Sequence, residues 1–142
     1  MYKTALIEQI RILPNSKKEF PTLNWFKHFL TKRMKDRGGY YYFPGNMMDC
    51  PNNTLVLFQY DGKIVASGIL IDARKQKGVN EKGENHEGYY KFDMSTVKIL
   101  SRPIMSYDIK RINPDFKSFN QSKQYIPMEY AEELLALLNK LI

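Results

Sequence analysis

At 142 residues the chain is long enough for one domain with a sizeable core, and its 43% hydrophobic, 13% aromatic and 26% charged residues describe a globular protein rather than a disordered one. No apolar run approaches the ~20 residues needed to cross a bilayer, the opening residues lack a signal-peptide core, and the single Cys50 excludes an internal disulfide or a cysteine-based zinc cluster. The expectation is one cytoplasmic domain over residues 1–142, with no membrane partner. The 22 Lys and Arg against 15 Asp and Glu leave +7, which favours a polyanionic partner. Where the charge sits says more. Between Lys17 and Arg37 seven basic residues face only Glu19 and Asp36.

Residues 4–12 read as a strand, with a short helix as competitor, and Asn15–Pro21 as a polar connection. Thr22 is placed as a helix N-cap, followed by Leu23, Phe26, Leu30 and Met34 at spacings of three and four; Gly38-Gly39 ends that helix. Tyr40–Phe43 is a short aromatic strand stopped by Pro44-Gly45. Alternation sends Tyr40 and Tyr42 to one face and Tyr41 and Phe43 to the other, so one pair enters the core.

The strongest local signal is Thr54–Ile71, two β-branched runs around Asp61-Gly62, which predicts a tight hairpin. Its second arm carries Ala66, Ser67 and Gly68, small residues that mark a close approach of backbone or ligand. Arg74–Gly88 holds seven charged residues and little to bury, and reads as a mobile excursion. Tyr89–Asp93 and Thr96–Leu100 then form a second strand pair around Met94-Ser95, and residues 104–113 hold a helical turn. Pro127 opens a closing helix whose buried stripe is Tyr130, Leu134, Leu137, Leu138 and Leu141. Strands joined by short turns, with helices at the ends, define a small α+β barrel.

The case for catalysis is poor. His28 lies in a helix without a metal-binding partner at i+4, His86 falls in the charged excursion, and no phosphate loop, nucleophile elbow or dinucleotide fingerprint occurs. Two acidic-x-Lys triplets, Asp61-Gly-Lys63 and Asp108-Ile-Lys110, match a metal-dependent nuclease pattern at three positions only. Neither a metal site nor a cofactor is expected.

Nucleic-acid binding is better supported. Trp25 sits off the apolar stripe among basic positions, and the Tyr40–Phe43 run follows Arg37 closely. Rings beside cations suit an unstacked base, each stacking contact contributing about 1–3 kcal/mol. The segment Phe116–Gln124, FKSFNQSKQ, offers Asn120, Gln121 and Ser122 as donors and acceptors for a base edge.

The order TLVLFQYDGKIVASGILID, YYKFDMSTVKILSRPI and FKSFNQSKQYIP, leading into the leucine helix, resembles the PUA-like group, in particular EVE and YTH-type domains found alone or fused to bacterial restriction nucleases. The resemblance covers most of residues 22–142 and implies an antiparallel β-barrel of about five to six strands with flanking helices. It also implies a non-catalytic nucleic-acid-binding module, of a group in which several members enclose a modified base in an aromatic cage. By position, Trp25, Tyr42, Asn46, Phe119, Asn120, Gln121 and Ser122 would line the pocket, while Lys32, Arg33, Arg37, Arg102 and Lys123 would contact phosphate. The chain departs from the group in its charged Arg74–Gly88 segment. No nuclease module is recognised, so cleavage would need a separate nuclease or other effector. DNA is expected ahead of RNA. The rival expectations are an interaction or inhibitor module from a mobile element and, behind it, a small nuclease using Asp108 and Lys110.

Overall fold

The structure is a computed structural model that describes residues 1–119 and 124–142. Its frame is a six-stranded mixed sheet in the order β2-β5-β4-β3-β1-β6. The strands are β1 (Gln9–Asn15), β2 (Tyr40–Phe43), β3 (Thr54–Tyr60), β4 (Lys63–Val79), β5 (Asn85–Ile104) and β6 (Tyr125–Ile126). The barrel-like α+β architecture matches expectation. The purely antiparallel arrangement does not, because β1 runs parallel to β3 from Gln9↔Thr54 to Asn15↔Tyr60. A strand that returns only after a helix and a long connection can enter in parallel, which a two-residue hairpin forbids.

Central β3 is buried along its whole length. Leu55 and Leu57 enter one core with Ile10, Ile12 and the leucines of the last helix, α4 (Ala131–Leu141). Val56, Phe58 and Tyr60 enter a second core on the opposite face, with Phe26, Phe29, Leu30 and Met34. A period of two, apolar on both phases, is what a strand covered on both faces requires.

Residues 23–36 wind continuously: α1 (Leu23–His28), a wider π-type stretch (Phe29–Arg33) and α2 (Met34–Asp36). Thr22 caps the start, its hydroxyl accepting from the Trp25 N–H at 3.1 Å. The end is set by Gly38 and Gly39 at φ +74° and +95°. At Gly39 a Cβ would collide with the Phe92 carbonyl, so the close approach of this turn to β5, where the Gly39 carbonyl accepts the Phe92 N–H at 2.9 Å, depends on glycine. Phe29, off the predicted stripe, is also buried: three residues after Phe26, it faces the same core.

The Asp61-Gly62 hairpin forms as expected, with φ +52° and +75°. The small residues beyond it serve packing inside the chain rather than a ligand. Ser67 Oγ lies 2.8 Å from the Tyr2 hydroxyl, and Gly68 faces Val97, Phe58 and Phe92. Burial, partly offset by that Ser67 contact, pushes the Tyr2 phenol up to about 12.

Two expectations are corrected along β4 and β5. Arg74–Gly88 is no loose excursion, since β4 and β5 stay paired out to Val79↔Asn85. Residues 89–93 and 96–100 are not two strands either. Both belong to β5 and pair with β4, and the register jump from Asp93 to Lys98 leaves residues 94–97 bulged. Thr96 Oγ1 fastens that bulge by accepting from the Ile69 N–H at 2.8 Å. The predicted turn at 104–113 is a full short helix, α3 (Ser106–Ile112), and the strand predicted at 4–12 begins only at Gln9 after a helical turn at Thr4–Leu6.

Candidate functional site

The outer half of the β4–β5 ribbon matters because it lies across the first helix and β2. Residues 88–91 of β5 pair with β2, from Tyr40↔Lys91 to Phe43↔Gly88. Alternation along β2 holds as expected: Tyr41 and Phe43 are buried, Tyr40 and Tyr42 half-buried. Between the helix, β2 and the ribbon tip opens a concavity of about 520 Å³. That lies within the ~300–1,000 Å³ of ordinary ligand pockets.

Its aromatic wall includes Trp25, 37% exposed, with His28 stacked at 5.7 Å and Arg33 and Lys82 over its ring at 5.5 and 5.8 Å. Across the opening Tyr42 stacks on His86 at 4.4 Å between centroids, with Arg37 at 5.2 Å from its ring. Gly78, opposite His86 in the ladder, leaves room for the imidazole, since a Cβ there would come within 3.0 Å of it. His86 Nδ1 is buried and has no hydrogen-bond partner among the described residues, which marks it as a group a ligand could satisfy.

The electrostatics are mixed in sign. Glu81 holds both arginines of the wall: Arg37 Nε donates to its carboxylate at 2.7 Å, Arg37 Nη2 adds a second bond, and Arg33 lies at 3.8 Å. Partial burial works against that carboxylate's charge, but its own backbone N–H together with Arg37 and Arg33 hold its pKa below the ordinary range. Glu19 and Glu84 also line the concavity. Glu19 is exposed at the rim, and partial desolvation, reinforced by Glu84, raises its carboxyl. Tyr41, at the floor, is raised by burial and then by Glu19, and its hydroxyl donates to Asn15 Oδ1 at 2.5 Å. Lys18 and Lys82 line the same space with no ion pair among the described residues.

Of the residues singled out in the sequence, Trp25, Tyr42, Arg33 and Arg37 meet in this concavity. Others lie elsewhere. Asn46 borders two neighbouring hollows, Lys32 is exposed and bonded to Asp36 at 3.4 Å, and Arg102 pairs with Asp108 at 3.2 Å. Phe119 packs on Phe116 in the core on the other face of the sheet, so it cannot line this space. A phenylalanine in a polar stretch has more to gain from that core than from solvent. The expectations placed on Asn120, Gln121, Ser122 and Lys123 lie outside the described residues.

Sequence reasoning did not place Lys18, Glu19, Lys82, Glu84 or His86 in a site. All five come from segments read as loose or merely charged. A signal was present. Asn80 Oδ1 accepts from the Lys82 and Glu84 N–H groups at 2.9 and 3.0 Å, and Gly83 sits at φ +77°, so Asn80–Gly83 is a turn with its own chemistry.

The nuclease-like triplets have structural duties. Asp61 belongs to the hairpin turn and pairs with Lys17 at 3.3 Å. Asp108 is buried, accepts the Met105 N–H at 2.9 Å at the start of α3, and holds Arg102. Among the described residues no three acidic, His or Cys side chains cluster as metal ligands would, and no helix is long and apolar enough to cross a membrane. Burial raises the Cys50 thiol, which works against nucleophilic chemistry there.

Neither a protein-family model nor a curated protein sequence matches the chain. Solved structures do resemble it. An ASCH protein mutant from Zymomonas mobilis is 12% identical with a TM-score of 0.60, the match covering 92% of this chain and 99% of that one. The YTH domain of the MRB1 protein of Zygosaccharomyces rouxii, in complex with N6-methyladenosine RNA, is 13% identical with a TM-score of 0.58, covering 94% and 88%. A structural-genomics protein from Rhodopseudomonas palustris is 13% identical with a TM-score of 0.57, covering 94% and 95%. The chain has the PUA-like fold that ASCH and YTH domains share.

Proposed function

We propose that this protein is a non-catalytic nucleic-acid-binding module that takes an unstacked base into the concavity between Trp25 and Tyr42. The observation that carries the reading is the convergence of separate segments on one hollow. The helix supplies Trp25, Arg33 and Arg37, β2 supplies Tyr42, and the ribbon supplies Lys82 and His86. Rings stack on a base of any sequence, cations beside them neutralise phosphate, and His86 Nδ1, without a hydrogen-bond partner among the described residues, can bond a base edge.

A base altered by a small substituent is the first occupant to test, because a YTH domain of the same fold is in complex with N6-methyladenosine RNA. DNA and RNA are tested side by side. Binding is read by fluorescence anisotropy with plain and modified oligonucleotides. Trp25→Ala should weaken it about 5- to 150-fold, the equivalent of one stacking contact at ~1–3 kcal/mol. Unaltered affinity in that variant, or binding indifferent to salt, removes the reading.

One observation favours a protein partner as second reading: Glu19, Glu81 and Glu84 give the hollow's surroundings a mixed charge that a protein surface could match. Co-purification from cells with and without nuclease digestion separates the two. A partner that survives digestion supports the second.

A further inference from the structure

The concavity does not stand alone. A second hollow of about 290 Å³ shares Glu19, Tyr41 and Pro44 with it, and a third of about 450 Å³ shares Phe43, Gly45 and Asn46 with the second. The three are consecutive along the corner at residues 44–46, and the third ends between Lys75 and Lys77 on the outer part of β4. The corner itself is low. A Cβ on Gly45 would meet nothing within 4 Å, and Asn46 is exposed with no hydrogen bond among the described residues.

Charge along this route is available. Arg33 and Arg37 are held by Glu81, Lys32 by Asp36 and Arg102 by Asp108. Lys75 has no ion pair among the described residues, and Lys77 is 85% exposed and pairs with Glu87 at 4.0 Å. The lysines at the far end are therefore freer to meet phosphate than most of the cations that the sequence brings forward.

We infer that the three hollows form one track for a single-stranded polynucleotide, running from the Trp25–Tyr42 concavity over Pro44–Asn46 to a phosphate contact at Lys75 and Lys77. This rests on the base-cavity reading above. An unstacked base needs a backbone leading away from it. The track offers Trp25, Tyr42 and the exposed Pro44 to bases and sugars, then Lys75, without an ion pair among the described residues, and Lys77, loosely held by Glu87, to the phosphates.

The test uses the whole chain with fluorescein-labelled 12-mers containing all four bases: single-stranded DNA, single-stranded RNA, and the DNA duplex as competitor. Anisotropy is measured from 50 to 200 mM salt for wild type, Lys75→Gln/Lys77→Gln and Trp25→Ala. Removing two phosphate contacts from a single strand should flatten the slope of log K against log salt by about 1.4, or about 0.7 if one lysine makes contact. Whichever strand, DNA or RNA, shows that change is the ligand. An unchanged slope in the lysine variant overturns the track. If Trp25→Ala still weakens binding, only the track is lost; if it does not, or if neither strand binds wild type, the base cavity falls with it. A duplex that competes as well as the single strand overturns the single-strand assignment.

Discussion

Replacing Glu81 by glutamine keeps the size of the side chain and its hydrogen-bonding oxygen but deletes the carboxylate that holds Arg33 and Arg37. In the wild type one carboxylate is shared by those two guanidiniums and offsets about half of their charge before any ligand arrives. Freed, each can meet a phosphate. For a single strand every added contact steepens the salt dependence by about 0.7, so two should steepen it by about 1.4. Across the fourfold change from 50 to 200 mM salt, that makes the loss of affinity roughly sevenfold larger than in wild type, while binding at the low-salt end tightens. Glu81 is half-exposed, so the lost ion pairs contribute only ~0–1 kcal/mol and melting should shift by no more than a few degrees. The assay is anisotropy over a salt series, beside a thermal melt of the same sample. A folded Glu81→Gln protein with the wild-type slope would show that neither arginine reaches phosphate, and the electrostatic reasoning about this wall would be wrong.

Other perturbations test the frame that holds the site. Gly39→Ala combines a left-handed backbone with a collision at the Phe92 carbonyl, and should lower stability by about 1–3 kcal/mol in urea unfolding. Phe26→Ala, fully buried against Phe20, Phe58 and Tyr60, should cost about 3–5 kcal/mol by the same measurement. Glu19 has a raised carboxyl, so the folded state holds its proton more tightly than the unfolded chain. Its penalty is absent below the ordinary carboxylate range and complete above the raised value. Glu19→Gln should therefore melt higher than wild type at pH 7, with the gap closing in acid. Glu81 runs the other way: its lowered carboxyl stabilises above the ordinary range and ceases to do so as pH falls through the lowered value.

Much of the fold was legible in local pattern. The Asp61-Gly62 turn, the Thr22 cap and the glycine stop after Arg37 each follow from a residue's own conformational preference or hydrogen-bonding reach. The inward Tyr41 and Phe43, with the outward Tyr40 and Tyr42, follow from the two-residue period of a strand. Trp25 could be set apart from the core because it breaks the helical stripe. Those facts place ring and charge on the surface without saying what stands opposite them.

What stands opposite was settled by long-range pairing. The parallel entry of β1 beside β3, the bulge that makes 85–104 one strand, and the reach of the β4–β5 ribbon to Val79 and Asn85 depend on contacts between segments far apart in the chain. The ribbon's charged residues carry no burial signal, because its backbone ladder and turn hold it in place, and backbone hydrogen bonds leave no mark on side-chain composition. For the same reason His86 and Lys82 looked like solvent-facing residues until the ribbon brought them over Tyr42 and Trp25. Phe119 was drawn the opposite way, into the far core, where Phe116 and the leucine helix remove it from water.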